Sequence, residues 1–138
     1  MVNFSNAVTF CLTLVGTALA VPHTISQRSV SCLDHDADSK TFGAIKEAEE
    51  CIKHLSTLKN RECRSSSTPT VFCKRGKTEI TGQAVGLPRW MTTATTCDDV
   101  ARGAQWILDT CARNDGSIRG QDPAWGNGYL MVNIRSVE

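Results

Sequence analysis

Residues 96–111, T-C-D-D-V-A-R-G-A-Q-W-I-L-D-T-C, followed by N-D-G at 114–116 and Y-L-M-V-N-I-R at 129–135, decide how the chain folds. Thr96 is a helix cap, its hydroxyl placed to accept from an N–H two or three residues on, and Asp98 and Asp99 put negative charge on the positive end of the dipole. Val100, Ala104, Ile107 and Cys111 recur at helical period, with Ala101 and Leu108 widening the stripe. Arg102, Gln105, Asp109 and Arg113 form the opposite, polar face. Asn114, Asp115 and Gly116 tolerate left-handed backbone and read as the stop, and S-I-R-G as a short extended piece beyond it. In 129–135 the alternation sets Leu130, Val132 and Ile134 on one face and Tyr129, Met131, Asn133 and Arg135 on the other, the pattern of a strand with one face buried.

Working outward, residues 41–58 are again helical, with Ile45, Ala48, Ile52 and Leu55 as the stripe and Cys51 and Leu58 at its edge. His54 falls on the polar side. Residues 63–69 are rich in Ser and Thr and read as a loop. Residues 71–73 and 78–83 flank Lys74-Arg75-Gly76-Lys77, a hairpin with Gly in its turn. Lys74-Arg75 is also a dibasic pair, but beside a bridged Cys73 it reads as a plain basic turn. Residues 86–95, with Pro88 and a run of threonines, read as a loop whose Trp90 lids one end of the core. Residues 29–33 alternate as a first strand.

The first twenty residues stand apart. Residues 8–15 are mostly apolar and uncharged, and Ala18-Leu19-Ala20 fits the small-x-small rule, so 1–20 read as a secretory signal peptide. The segment is too short to span a membrane, which takes about 20 apolar residues. Residues 21–30 are a flexible leader or short propeptide, and 31–138 are a single secreted cysteine-rich domain. Of the seven cysteines, Cys11 leaves with the signal. Cys32, Cys51, Cys63, Cys73, Cys97 and Cys111 remain as a framework of up to three bridges, with about 15 possible connectivities. Such bridges would add about 2–4 kcal/mol each to a modest core. The charge is nearly balanced, 15 basic against 14 acidic residues, which offers no nucleic-acid footprint.

Strand, helix, two strands, helix, strand is the order expected. The fold class is therefore α+β: a small disulfide-stabilised sandwich in the ferredoxin-like βαββαβ order, with two helices on one face of an antiparallel sheet.

The last third of the chain resembles the killer-toxin-like small secreted proteins of fungi and the related necrosis-inducing effectors. The resemblance rests on Cys97, Cys111, Gly126, Asn127, Leu130, Val132 and Asn133: a helix bounded by cysteines, a G-N turn and an L-x-V-N final strand. The chain departs from that pattern in having neither a C-terminal cysteine nor a Cys-x-x-Cys after the second helix. The resemblance implies a secreted effector or toxin that binds a host or competitor protein or a membrane component. No cofactor, no nucleic acid, no stable membrane anchor and a monomer are expected.

A small secreted ribonuclease or other hydrolase needs a histidine pair or paired carboxylates; His35 and His54 flank the first helix, while Glu47, Glu50 and Asp109 read as solvated charge on outer helix faces. An extracellular enzyme inhibitor is a further alternative. No Cys-x-x-Cys stands near a histidine at ligand spacing, and Asp34, His35, Asp36 and Asp38 lack the calcium-loop pattern, so no metal site is expected. The candidate interaction surface is Arg102, Trp106 and Arg113 on the helix flank, with Tyr129 and Met131 on the outer strand face. Trp106 has a second reading, as packing beneath the Trp125 loop. The exported protein is expected to start at Val21 or, after trimming, near Ser29; an intact mass that retains Met1 would overturn the secretory reading.

Overall fold

A computed structural model describes residues 30–34 and 41–137. The signal segment, the leader up to residue 29, His23, His35, Asp36 and Asp38 lie outside the described residues. Among the described residues two helices and nine strands follow one another as β1 (Ser31–Cys32), β2 (Gly43–Ala44), α1 (Ile45–Thr57), β3 (Glu62–Ser65), β4 (Thr70–Arg75), β5 (Thr78–Ala84), β6 (Thr93–Thr96), α2 (Cys97–Cys111), β7 (Ser117–Ile118), β8 (Gly120–Ala124) and β9 (Asn127–Ser136). The fold is α+β, every strand pairing is antiparallel, and three disulfides cross it.

The main sheet has the order β1-β8-β9-β5-β4, with β9 central because its ten residues pair with both β5 and β8. Register sets Ile80 opposite Ile134 and Ala84 opposite Leu130, so their side chains share one face with Val132. Those residues join Ala48, Cys51, Ile52 and Leu55 of α1 and Val100, Ala104, Ile107 and Leu108 of α2 in one buried cluster. Both helices therefore lie against the same face of the sheet. The outer face, with Gln83, Gln121, Met131, Asn133 and Arg135, is polar and only partly covered.

Five strands, β2, β3, β6, β7 and β8, go beyond the expected six-element order. β3 and β6 pair with each other in a separate two-stranded ribbon, in segments read from sequence as loops. Their threonines and serines carry no hydrophobic alternation, and the pairing is set instead by the Cys63–Cys97 bridge beside it. β8 contains Pro123 and lies between two glycine turns, yet it pairs with both β1 and β9. The helix starts are shifted too. Residues 43–44 are held extended by pairing with β7, so α1 begins at Ile45, and with no side-chain cap its first N–H groups find tertiary acceptors. Ala44 donates to Thr78 Oγ1 at 2.8 Å and Ile45 to the Gly116 carbonyl at 2.9 Å. At the other terminus, α2 does not reach the N-D-G stop. Ala112 is already extended at ψ 131°, because Cys111 is tied to Cys32, and N-D-G makes the turn into β7.

The Thr96 cap is formed as expected, its hydroxyl accepting from Asp99 N at 3.1 Å. Gly103 has a role that periodicity does not reveal. A Cβ at that position would sit 3.0 Å from the Pro123 carbonyl oxygen and 3.2 Å from Ala124 Cα, so only a bare backbone lets α2 lie directly on the β8–β9 hairpin. Gly103→Val is expected to lower unfolding free energy by about 1–3 kcal/mol through overpacking. Gly128→Ala, which meets no atom within 4 Å, is expected to stay within about 0.5 kcal/mol of the parent. Urea midpoints at unchanged slope check both, and a neutral Gly103→Val would refute the close approach.

Candidate interaction surface

The end of the molecule built from the loop at 85–92, the β8–β9 turn and the start of α2 is held by specific hydrogen bonds. Trp125 N donates to the Asp99 carbonyl at 3.0 Å, fastening the β8–β9 turn to the first turn of α2. Asn127 Nδ2 donates to Thr93 Oγ1 at 2.9 Å and to the Ala94 carbonyl at 3.1 Å, while its Oδ1 accepts from Tyr129 N at 3.0 Å. The loop at 85–92 is tied at both ends: Val85 N to the Tyr129 carbonyl at 2.9 Å, and Thr92 Oγ1, which accepts from Arg64 Nη1 at 2.7 Å. Within it Met91 N donates to the Pro88 carbonyl at 2.9 Å, and the Arg89 carbonyl accepts from Ser67 Oγ at 3.3 Å. Arg64 also forks onto Glu62, at 2.8 and 3.1 Å, and this pairing holds the Glu62 carboxyl below its ordinary pKa.

From this frame the large side chains point outward. Trp90 is 84% exposed, Tyr129 55%, Trp125 44% and Met91 42%. Trp106, one turn of α2 beyond Gly103, is 45% exposed. The chain has three tryptophans and one tyrosine, and all four stand in solvent while the core is built from aliphatic residues, cysteines and Phe42. Leaving such a side chain in water forgoes roughly 1.5–3 kcal/mol of burial, so their exposure has no basis in folding.

The expected surface is divided by this arrangement. Arg102 pairs with Asp98 at 3.4 Å on the same helix flank as Trp106. Arg113 lies beyond the other end of α2, its guanidinium 4.7 Å above the Phe42 ring. Tyr129 belongs to the aromatic end, and Met131 is half-buried on the outer sheet face, opposite Gln83 and Pro123. Trp90 corrects the expectation that it lids the core: Pro88 and Arg89 precede it and Thr92 follows Met91, so no apolar stripe carries it inward. Trp90, Met91 and Trp125 are the surface residues that sequence reasoning missed; the signal available was their place in segments without hydrophobic period.

The opposite end holds an open cleft of about 300 Å³ lined by Phe42, Gly43, Ala44, Lys77, Arg113, Asp115 and Ser117. Asp115 Oδ1 accepts from Ser117 Oγ at 2.5 Å and Ser117 N at 3.0 Å, and these bonds hold its carboxyl below the ordinary range. The carboxylates weighed for hydrolysis are dispersed. Glu47 accepts from the buried Thr78 hydroxyl at 2.6 Å and serves as a tie between α1 and the β4–β5 hairpin, while Glu50, Asp109 and His54 are exposed on the helices. Cys32–Cys111, Cys51–Cys73 and Cys63–Cys97 consume the six cysteines among the described residues, leaving none of those six as a thiolate for nucleophilic attack. Among the described residues no group of three His, Cys, Asp or Glu is placed to hold a metal ion.

A family model described as a domain of unknown function (DUF8794) matches residues 27–136. No curated protein matches the chain. Trp106→Ala is expected to cost about 1 kcal/mol, well short of the ~3–5 kcal/mol of a buried tryptophan; a chemical-denaturation loss in the larger range would return Trp106 to the core.

Proposed function

We propose that this chain, which belongs to the DUF8794 family, is a secreted fungal effector or killer-toxin-like protein that acts by binding a host or competitor target, not by catalysis. The observation that carries the proposal is the exposure of every tryptophan and the single tyrosine on a frame held by three disulfides. Rigid, exposed Trp and Tyr side chains with guanidinium neighbours are the composition of interaction anchors. They give large contact area at small entropic cost. In this reading the scaffold is a small sandwich whose βαββαβ frame is carried in chain order by β1, α1, β4, β5, α2 and β9, while β3, β6 and β8 shape the aromatic end and β2 pairs with β7 at the other.

Secretion is supported by the same bridges, since three disulfides in so short a chain belong to an oxidising compartment. Among the described residues no helix is long and apolar enough to cross a membrane. The protein acts as a monomer and takes no nucleic acid, its net charge being +1.

The test is biological activity of the purified, oxidised protein, infiltrated into plant tissue and added to cultures of competing fungi. A response in at least one assay is expected, falling at least tenfold for Trp90→Ala or Tyr129→Ala at unchanged melting temperature, and for Trp106→Ala with the melting temperature lowered by only about 4–8 °C. A response that persists in all three variants, or that tracks RNA hydrolysis or another turnover, would overturn the reading.

A further inference from the structure

We infer that β4, the open edge of the main sheet, is closed to strand addition by Lys74, Arg75 and the bulge at Phe72, and that these groups keep two copies of the chain from joining edge to edge. The inference goes beyond the binding reading above, since it holds whatever the target is.

An edge strand carries a row of backbone N–H and C=O groups with no partner in its own sheet, and a second chain can pair with them. The five-stranded sheet has two such edges, β1 and β4. At β1 the edge is two residues long, Ser31–Cys32, and Cys32 is tied to α2 through Cys111, so little ladder is on offer. At β4 it is six residues long, Thr70–Arg75, and Thr70, Val71, Lys74 and Arg75 are exposed. Thr70, Val71 and Phe72 favour extended backbone, and Val71, 50% exposed, supplies an apolar side chain that an added strand would bury. This is the edge that needs guarding.

The direction of its backbone groups follows from the turn. Arg75 and Thr78 face each other across Gly76 and Lys77, and Gly76, at φ +52°, takes the first central position of a two-residue hairpin. The pair that closes such a turn exchanges both of its backbone hydrogen bonds. The next pair, Lys74 with Glu79, therefore exchanges none, and the N–H and C=O of Lys74 point away from β5 toward the open edge. In a regular strand the outward groups would recur at every second residue, at positions 74, 72 and 70. The register shift between Val71 and Cys73 makes Phe72 an extra residue and moves the next outward position to Val71. A straight strand that met Lys74 would be out of step by the time it reached Val71.

The outward acceptor nearest the turn is already taken, because Arg75 Nη1 donates to the Lys74 carbonyl at 2.9 Å. Charge adds to geometry. Glu79, opposite Lys74, is held by Arg135 at 2.7 Å, and among the described residues no carboxylate forms an ion pair with Lys74 or Arg75. A second copy would bring the same two cations, and a ladder centred on the Lys74 amide would set them against one another, which is unfavourable.

The experiment compares the full oxidised protein with two double variants by sedimentation velocity over a series of concentrations. The parent is expected to remain a monomer throughout. Lys74→Thr with Arg75→Val frees the carbonyl and removes both charges; it is expected to self-associate about tenfold more tightly than the parent or more, with the amide of residue 74 protected from hydrogen exchange in the associated form. Lys74→Pro with Arg75→Val is equally uncharged but has no N–H at the outward position, where proline breaks no bond to β5, and it is expected to stay monomeric. Should the first variant fail to refold with its disulfides, Arg75→Thr alone, which removes only the guanidinium from the Lys74 carbonyl, is read in the same way. A parent that associates, or variants that stay monomeric with the carbonyl freed, would overturn the inference. So would association that survives Lys74→Pro, or that disappears when Trp90→Ala is added, since the contact would then lie at the aromatic end.

Discussion

Helix α2 is held covalently at both of its ends, and the rest of the domain is arranged to meet it. Its first residue, Cys97, is bridged to Cys63 of β3, and its last, Cys111, to Cys32 of β1. A helix of this length spans about 22 Å, so the two bridges determine its position and direction and leave little freedom to slide along the sheet. The third bridge, Cys51–Cys73, does the same once for α1 against β4. Each bond joins a helix to a strand. In the loop-entropy view, closing separations of 22, 34 and 79 residues removes roughly 3–5 kcal/mol of unfolded-state freedom apiece.

This covalent frame relieves the core of carrying stability alone, and the composition of the interior follows. The largest fully buried side chains are Leu55, Ile80, Ile107, Ile118, Leu130 and Ile134, with no tryptophan or tyrosine among them. In a domain without bridges, indole rings are the largest available sources of burial. Here they are spent on the surface. Glycine has a matching role: Gly103 lets α2 approach the β8–β9 hairpin without a side chain between them, and the Trp125 turn is thereby brought to the first turn of α2.

What the sequence made legible was whatever carries its own period. The stripe of Val100, Ala104, Ile107 and Cys111, the Thr96 cap, the alternation of Leu130, Val132 and Ile134, and the Gly76 hairpin each depend on neighbours within a few residues, and each is formed. The ribbon of β3 and β6 was not legible, because Thr93, Thr95 and Thr96 find their partners about thirty residues away, at Ser65, Cys63 and Glu62. Disulfide connectivity was open for the same reason: spacing does not say which cysteine α2 brings beside which strand. Trp90 was misread through residue type, since a tryptophan suggests burial by default, whereas its loop offers no stripe to bury it in.

The bonds that orient the aromatic end are largely the ones that close the fold. Asn127 satisfies Thr93, Ala94 and Tyr129 at once, and Asp99 receives the Thr95 hydroxyl on its side chain and Trp125 N on its carbonyl. Folding α2 onto the sheet therefore sets the Trp125 turn, and pairing β5 with β9 sets Tyr129 and the base of the 85–92 loop. The backbone of this surface is therefore fixed by the same bonds that fix the core behind it. The far end is built differently. Arg113 is drawn over Phe42 and Asp115 is occupied by Ser117, so these charged groups are turned toward closing the α1 and β7 junction, whereas at the aromatic end the large side chains stay outside the bonds that hold the backbone.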